Sequence, residues 1–185
     1  MSRITPLLAV LVIALIVAWG WFRTPTPPAG PAAASPPSAI IPAPVFVEYT
    51  TGPASPDGIG KFFHGREISH VMGHRAIDWL ERGNREQEEA PSKAIAAIEL
   101  APNAVLADIG AGSGYYSFRL SEKVPQGKIV AVDIQPEMLD FLRKRSAELG
   151  INNVEPHLGT IEDVQLPAAS LDAALMVDAY HEFSH

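Results

Sequence analysis

The sequence contains no cysteine. That absence removes a disulfide framework, a thiolate zinc site and a cysteine nucleophile in one step. Positive charge is also scarce: 14 Lys and Arg stand against 21 Asp and Glu, for a formal net charge of −7. The resulting mean field repels phosphate backbones, so nucleic acid is not expected as a partner, and small neutral or cationic ligands suit the chain better. Apolar residues make up 47% of the 185 positions and charged residues 19%. Wholesale disorder and collagen-like structure are thereby excluded, and the length allows one ordinary domain with an appendage.

A local lack of charge marks the appendage. No charged side chain occurs from Leu7 to Phe22, and the run closes on Trp19, Gly20, Trp21 and Phe22. Extended by Ile4 to Pro6, it approaches the roughly 30 Å of a bilayer core, with Arg3 and Arg23 at its ends and the aromatic cluster suited to the headgroup level. Residues 1–23 therefore read as a single transmembrane signal anchor, which makes the membrane a partner. A cleaved signal peptide is the competing reading, with Ala32-Ala33-Ala34 as its cleavage site, about ten residues past the apolar run. Between Thr24 and Pro44 lie eight of the 17 prolines, a semi-rigid spacer within a linker spanning 24–60. Arg3 with the amino terminus outweighs Arg23 by one charge, too little to fix the side of the membrane.

All 21 acids and 12 of the 14 bases lie beyond Pro44. Ile68, Val71, Met72, Trp79 and Leu80 recur at helical spacing and predict an amphipathic helix over 66–82, part of an N-terminal helical segment at 61–102. His64, Glu67, His70 and His74 share that spacing and read as its solvated face rather than as metal ligands. Arg85 with Glu86 to Glu89 reads as a charged, solvated connection. Pro91 opens a second helix that turns Ile95 and Ile98 inward.

From residue 103 the pattern becomes one of short apolar runs separated by helices. Val105 to Ile109 predicts a strand, Gly110 to Gly114 a glycine turn and Tyr115 to Lys123 a helix. A second strand covers Ile129 to Val132 and ends at Asp133. Pro136 then starts a helix that Gly150 ends, with Met138, Leu142 and Leu149 as its buried stripe. Val154 to Leu158 and Leu171 to Val177 predict two further strands. Alternation of this kind specifies an α/β fold with a parallel sheet.

The chemistry concentrates at Asp108-Ile109-Gly110-Ala111-Gly112-Ser113-Gly114. Glycines after a strand let the backbone pass beneath a ligand, and Asp133 at the end of the next strand is placed to hold two ribose hydroxyls. A dinucleotide fingerprint needs a glycine where Tyr115 stands. The spacing acid-x-G-x-G-x-G instead resembles motif I of class I S-adenosylmethionine-dependent methyltransferases. Val132-Asp133-Ile134 with Gln135 to Met138, Gly159 to Asp163 with Leu166-Pro167, and Leu171-Asp172 through Asp178 resemble later segments of that family in order. The resemblance covers about residues 91–185, and the methyltransferase part is placed at 103–185.

The resemblance implies a Rossmann-like sheet in the order 3-2-1-4, S-adenosylmethionine as cofactor and a small-molecule methyl acceptor. Asp108 and the backbone of Gly110, Ala111 and Gly112 would shape the methionine pocket. Asp133 would hold the ribose, Ile134 would lie against the adenine, and Thr160, Ile161 and Glu162 would border the adenine edge. Thr160 stands where many relatives have aspartate. Tyr115, Tyr116 and Phe118 are expected to pack their helix on the sheet, and the segment before 91 to serve as a lid. Asp178 and His181, just past the fourth strand, are the candidates for a base where an acceptor is protonated.

Two alternatives stay open: a non-catalytic or degenerate cofactor-binding domain, and a zinc hydrolase through His181 and His185 of the H-E-x-x-H pattern. The family's sheet has seven strands and this chain supplies four. A truncated form of a longer methyltransferase is therefore expected, with the fourth strand at an open edge. The sequence specifies no oligomeric state.

Overall fold

The structure, a computed structural model, describes residues 48–185. The apolar run and the whole proline-rich spacer from Thr24 to Pro44 lie outside the described residues. Among those described, no helix is long and apolar enough to cross a membrane.

A three-stranded antiparallel sheet comes first, built from β1 (Tyr49–Thr51), β2 (Gly58–Phe63) and β3 (Arg66–Ser69). It begins inside the stretch read as linker and runs through the start of the helix expected over 66–82. The cause is the His64-Gly65 pair. Both residues have positive φ, 47° and 80°, the backbone of the two-residue hairpin turn that matches strand twist. With that turn fixed, alternation replaces the helical period, and Ile68 is the buried residue of β3. Glu67 is consequently no part of a helix face. Its carboxylate accepts the backbone N–H groups of Ser55 and Gly60, and hydrogen bonding, from the Ser55 side chain foremost and then these backbone groups, holds it below the usual carboxylate value.

Helical structure is confined to short pieces: a 3₁₀ turn at His74–Ala76, α1 (Ile77–Leu80), α2 (Arg85–Glu89) and α3 (Pro91–Ala97). Proline occupies the first turn of α3, as its fixed φ favours, and Ile95 and Ile98 pack against the core. The solvated connection expected at 85–89 is instead a helix, and Arg85 within it is buried.

The second sheet is parallel. It contains β4 (Val105–Ile109), β5 (Lys128–Asp133), β6 (Val154–Leu158) and β7 (Ala173–Leu175) in the order β6-β5-β4-β7. This is the expected 3-2-1-4 arrangement, although the last strand is shorter than the 171–177 predicted. Two helices cross between strands, α4 (Tyr115–Ser121) and α5 (Pro136–Leu149). Leu106, Leu120, Ile129 and Leu142 are fully or almost fully buried at the centre, each worth about 1.5–3 kcal/mol of transfer free energy. Tyr115, Tyr116 and Phe118 belong to this core. Leu149, expected in the buried stripe of α5, is exposed; it is the last residue of the helix, which Gly150 ends in the left-handed conformation.

Gly114 couples the glycine turn to this core. At φ +76° a β-carbon there would lie 2.4 Å from Leu142 Cδ2. Gly114→Ala is expected to destabilise the protein by about 2–4 kcal/mol, combining left-handed strain with overpacking. At Gly150, φ +67° but nothing within 4 Å, the same change costs about 1–2 kcal/mol. Urea midpoints of the two variants check the difference.

Candidate functional site

In this sheet the chain builds β4, β5 and β6 outward in one direction and then returns to place β7 on the other side of β4. A crevice opens at the carboxyl ends of the strands where the direction reverses. The cavity there measures about 520 Å³, within the range of small-molecule sites.

The glycine turn forms its floor. Gly110 (φ +76°) lies under the chain that follows β7, and a β-carbon there would sit 2.6 Å from the Ala179 β-carbon. The backbone N–H groups of Gly110 and Ala111 both donate to the Val132 carbonyl at 2.9 Å. They bind the turn to β5 rather than facing outward. Gly112 N–H donates to Asp133 Oδ2 at 2.9 Å, so the turn also orients the acid on the neighbouring strand.

Asp108 ends β4 almost wholly enclosed. Burial pushes its carboxyl up to about 6, against an opposing hydrogen bond from Ser117 Oγ at 2.6 Å. Asp133 ends β5. Burial raises its carboxyl as well, while the backbone N–H groups of Gln135, Gly112 and Ile134 favour the charged form. Gln135 N–H reaches Oδ1 at 2.9 Å. A carboxylate offers about four acceptor positions, so these bonds fix its orientation and still leave acceptor capacity for the cavity.

Every candidate site residue faces this one cavity: Asp108, Gly110, Ala111, Gly112, Asp133 and Ile134 from the first two strands, Thr160, Ile161 and Glu162 after β6, and Asp178 and His181 after β7. The Thr160 hydroxyl is occupied within its own turn, accepting from Asp163 N–H at 3.0 Å. The exposed Ile161 side chain is left to cover a ligand. Asp178 adopts a left-handed backbone, φ 53°, and lies 3.5 Å from an Arg85 nitrogen. His181 Nε2 lies 3.8 Å from Glu182 Oε1.

The H-E-x-x-H pattern does not form a metalloprotease helix. Its 3₁₀ turn covers only Tyr180–Glu182, and Phe183 is extended, so His181 and His185 do not share a helical face. Among the described residues, no group of three potential ligands could hold a metal ion. Glu182 has a structural role. Its carboxylate, raised by burial, accepts Met72 N–H at 3.1 Å.

Several site residues escaped the sequence reading. Arg85 donates to Glu89 at 2.6 Å and to the Leu80 carbonyl at 2.9 Å, and lies 4.3 Å above the Tyr115 ring. Gln135 uses both ends of its amide, donating to the Met72 carbonyl at 2.8 Å and accepting His74 N–H at 2.9 Å. Ser113 Oγ donates to Glu81 at 2.6 Å. Residues 71–81 are thereby strapped across the cavity, contributing Val71, Met72, Trp79 and Leu80 to its lining. A covering segment was expected from this part of the chain, but a short extended piece followed by the 3₁₀ turn and α1 fills that place instead of one long helix.

The cavity is strongly acidic. Glu89, Asp108, Asp133, Glu162, Asp178 and Glu182 line it, with Arg85 as the single Lys or Arg among its described lining residues.

Comparison with known proteins gives a consistent result. Residues 106–185 match the family model described as a methyltransferase domain. An uncharacterized methyltransferase of Mycobacterium bovis is 35% identical over 116 residues, covering 63% of this chain and 43% of its own length. Ribosomal RNA small subunit methyltransferase G of Lactobacillus helveticus is 43% identical over 61 residues, 33% of this chain and 25% of its own length. The chain thus spans less than half the length of these curated relatives. Among solved structures, a SAM-dependent methyltransferase from Aquifex aeolicus aligns with a TM-score of 0.58 and 28% identity, covering 62% of each chain.

Proposed function

Because residues 106–185 belong to the class I S-adenosylmethionine-dependent methyltransferase family, we propose that the chain binds S-adenosylmethionine in the 520 Å³ cavity and transfers its methyl group to a small-molecule acceptor. The observation that carries this reading is the cavity's charge. Six carboxylates stand against one guanidinium, and burial raises Asp108, Asp133 and Glu182. A ligand with a sulfonium and an ammonium offsets that repulsion.

Asp133 would take the ribose hydroxyls on the acceptor positions its backbone donors leave free. Ile134 and Ile161 offer apolar cover to the adenine, and the Ile161 backbone is the polar contact that survives the occupation of Thr160. Asp108 would face the methionine portion from the floor. Bound there, S-adenosylmethionine supplies a methyl group already activated by positive sulfur, so the chain's share is alignment and exclusion of water. His181 is the better placed of the two candidate bases, since Asp178 is paired with Arg85. The charge balance supports a small neutral acceptor over a polyanion. Membrane tethering rests on the apolar run from Leu7 to Phe22, and a protease-accessibility assay of intact cells tests it.

Calorimetric titration with S-adenosylmethionine and S-adenosylhomocysteine tests the cofactor assignment. Saturable one-to-one binding at micromolar concentrations is expected for both. Absence of binding to folded protein removes the reading, and binding without turnover on any acceptor favours a non-catalytic domain.

A further inference from the structure

Resting on the methyltransferase reading above, we propose that a second cavity beside the first seats the methyl acceptor, and that the acceptor is a single-ring phenol. This cavity, about 220 Å³, is walled by Tyr49, Phe63, Tyr180 and Phe183, with His181 and His185 between it and the larger space. The two histidines and Phe183 line both cavities. An acceptor seated in the smaller one therefore adjoins the cofactor space.

Size sets the first limit. Sites for drug-sized ligands run from about 300 to 1,000 Å³, so 220 Å³ suits a ligand well below drug size, such as one six-membered ring with small substituents. The walls set the second. Phe63 meets Tyr49 at 5.8 Å with a 43° tilt and Tyr180 at 6.5 Å edge-on, and Tyr180 meets Phe183 at 6.4 Å with a 58° tilt. These are the separations and angles at which ring edges and faces attract, and a further flat ring extends the series.

Charge sets the third. Glu67 is the one carboxylate among the cavity's described lining residues, and it is already engaged by Ser55 and Gly60. Arg66 lines the same space, and Lys61 lies 4.1 Å above the Tyr49 ring. Neither base pairs with a carboxylate among the described residues. The cavity therefore offers no free carboxylate to pair with an ammonium acceptor, whereas a phenol hydroxyl can donate to an imidazole. The hairpin's position follows from its own contacts: Lys61 of β2 donates to the Ser184 carbonyl, fastening the hairpin to the segment that carries both histidines.

The test is a calorimetric titration of p-cresol into the full chain saturated with S-adenosylhomocysteine. Phe63→Leu and Tyr180→Leu, which keep apolar bulk but remove a ring, are each expected to weaken p-cresol at least tenfold, with S-adenosylhomocysteine affinity within twofold of the parent. The saturated analogue 4-methylcyclohexanol is expected to bind at least tenfold more weakly than p-cresol. No saturable p-cresol binding, equal binding of the two alcohols, or p-cresol affinity unchanged by both substitutions overturns the acceptor assignment alone. Failure of the parent protein to bind S-adenosylhomocysteine overturns the methyltransferase reading, and this inference with it.

Discussion

Asp133→Ala is expected to weaken S-adenosylmethionine binding by at least 100-fold while leaving the protein folded. The carboxylate ends β5 with Gly112 N–H on one oxygen and Gln135 N–H on the other, each at 2.9 Å. Its remaining acceptor positions are the proposed seat of two ribose hydroxyls. Each hydrogen bond to a charged acceptor contributes about 1.5–3 kcal/mol, so losing both exceeds the roughly 2.7 kcal/mol of a 100-fold change. Asp133→Asn separates recognition from architecture. Its carbonyl still accepts one backbone N–H, so folding is better preserved than in the alanine variant, yet the loss of charge is expected to reduce affinity at least tenfold. Calorimetry on both variants, with thermal melts as the folding control, reads the two effects independently. Unchanged affinity in Asp133→Ala places the cofactor elsewhere.

The second large effect concerns Asp108 and runs in the opposite direction for stability. Burial raises its carboxyl from 3.8 to about 6. The native state therefore holds the proton more tightly than the unfolded chain, and native stability falls as pH rises through this interval. A rise of about two pH units corresponds to about 3 kcal/mol between pH 4 and pH 7. Asp133 and Glu182, also raised by burial, add slope of the same sign. Asp108→Asn retains an acceptor for Ser117 Oγ but carries no charge. It is expected to raise stability at pH 7.5 by about 1–3 kcal/mol, to flatten the pH dependence between 4 and 6, and to lose cofactor affinity. Urea denaturation at several pH values checks this. A destabilised variant at pH 7.5 contradicts the burial argument. Stability gained at the expense of binding is the usual relation at a functional site.

Legibility in the sequence varied with the kind of signal each region carries. The parallel sheet was readable because Val105 to Ile109 and Ile129 to Val132 are apolar runs too short for helices, each followed by a turn or an acid. Of the crossover helices, α5 had a proline start and a glycine end, and α4 followed directly on the glycine turn. The N-terminal hairpin was not readable by periodicity because Ile68, Val71 and Met72 imitate a helical stripe. The signal that locates it is the Gly65 after His64, flanked by the strand-forming Phe62-Phe63. Arg85 was missed for a different reason. In a run of charges its burial depends on Asp178, Tyr115 and Leu80, all distant in sequence or set by the turn of α2. Gln135 gave no signal, since an amide beside a motif acid is ordinary until its two partners, Met72 and His74, are seen across the cavity.

The strap over that cavity also bears on rates. Three hydrogen bonds hold it at Met72 and His74, two to Gln135 and one to Glu182. At about 1 kcal/mol net for each, releasing this end of the strap costs about 3 kcal/mol, so roughly one molecule in a hundred has it open at any instant. Local opening of this kind lies well below global unfolding. A ligand that enters only past the open strap associates more slowly by that fraction, and one already inside escapes more slowly by the same fraction. The equilibrium constant is then insensitive to the strap, while residence time is set by an amide two residues from the acid proposed to hold the ribose.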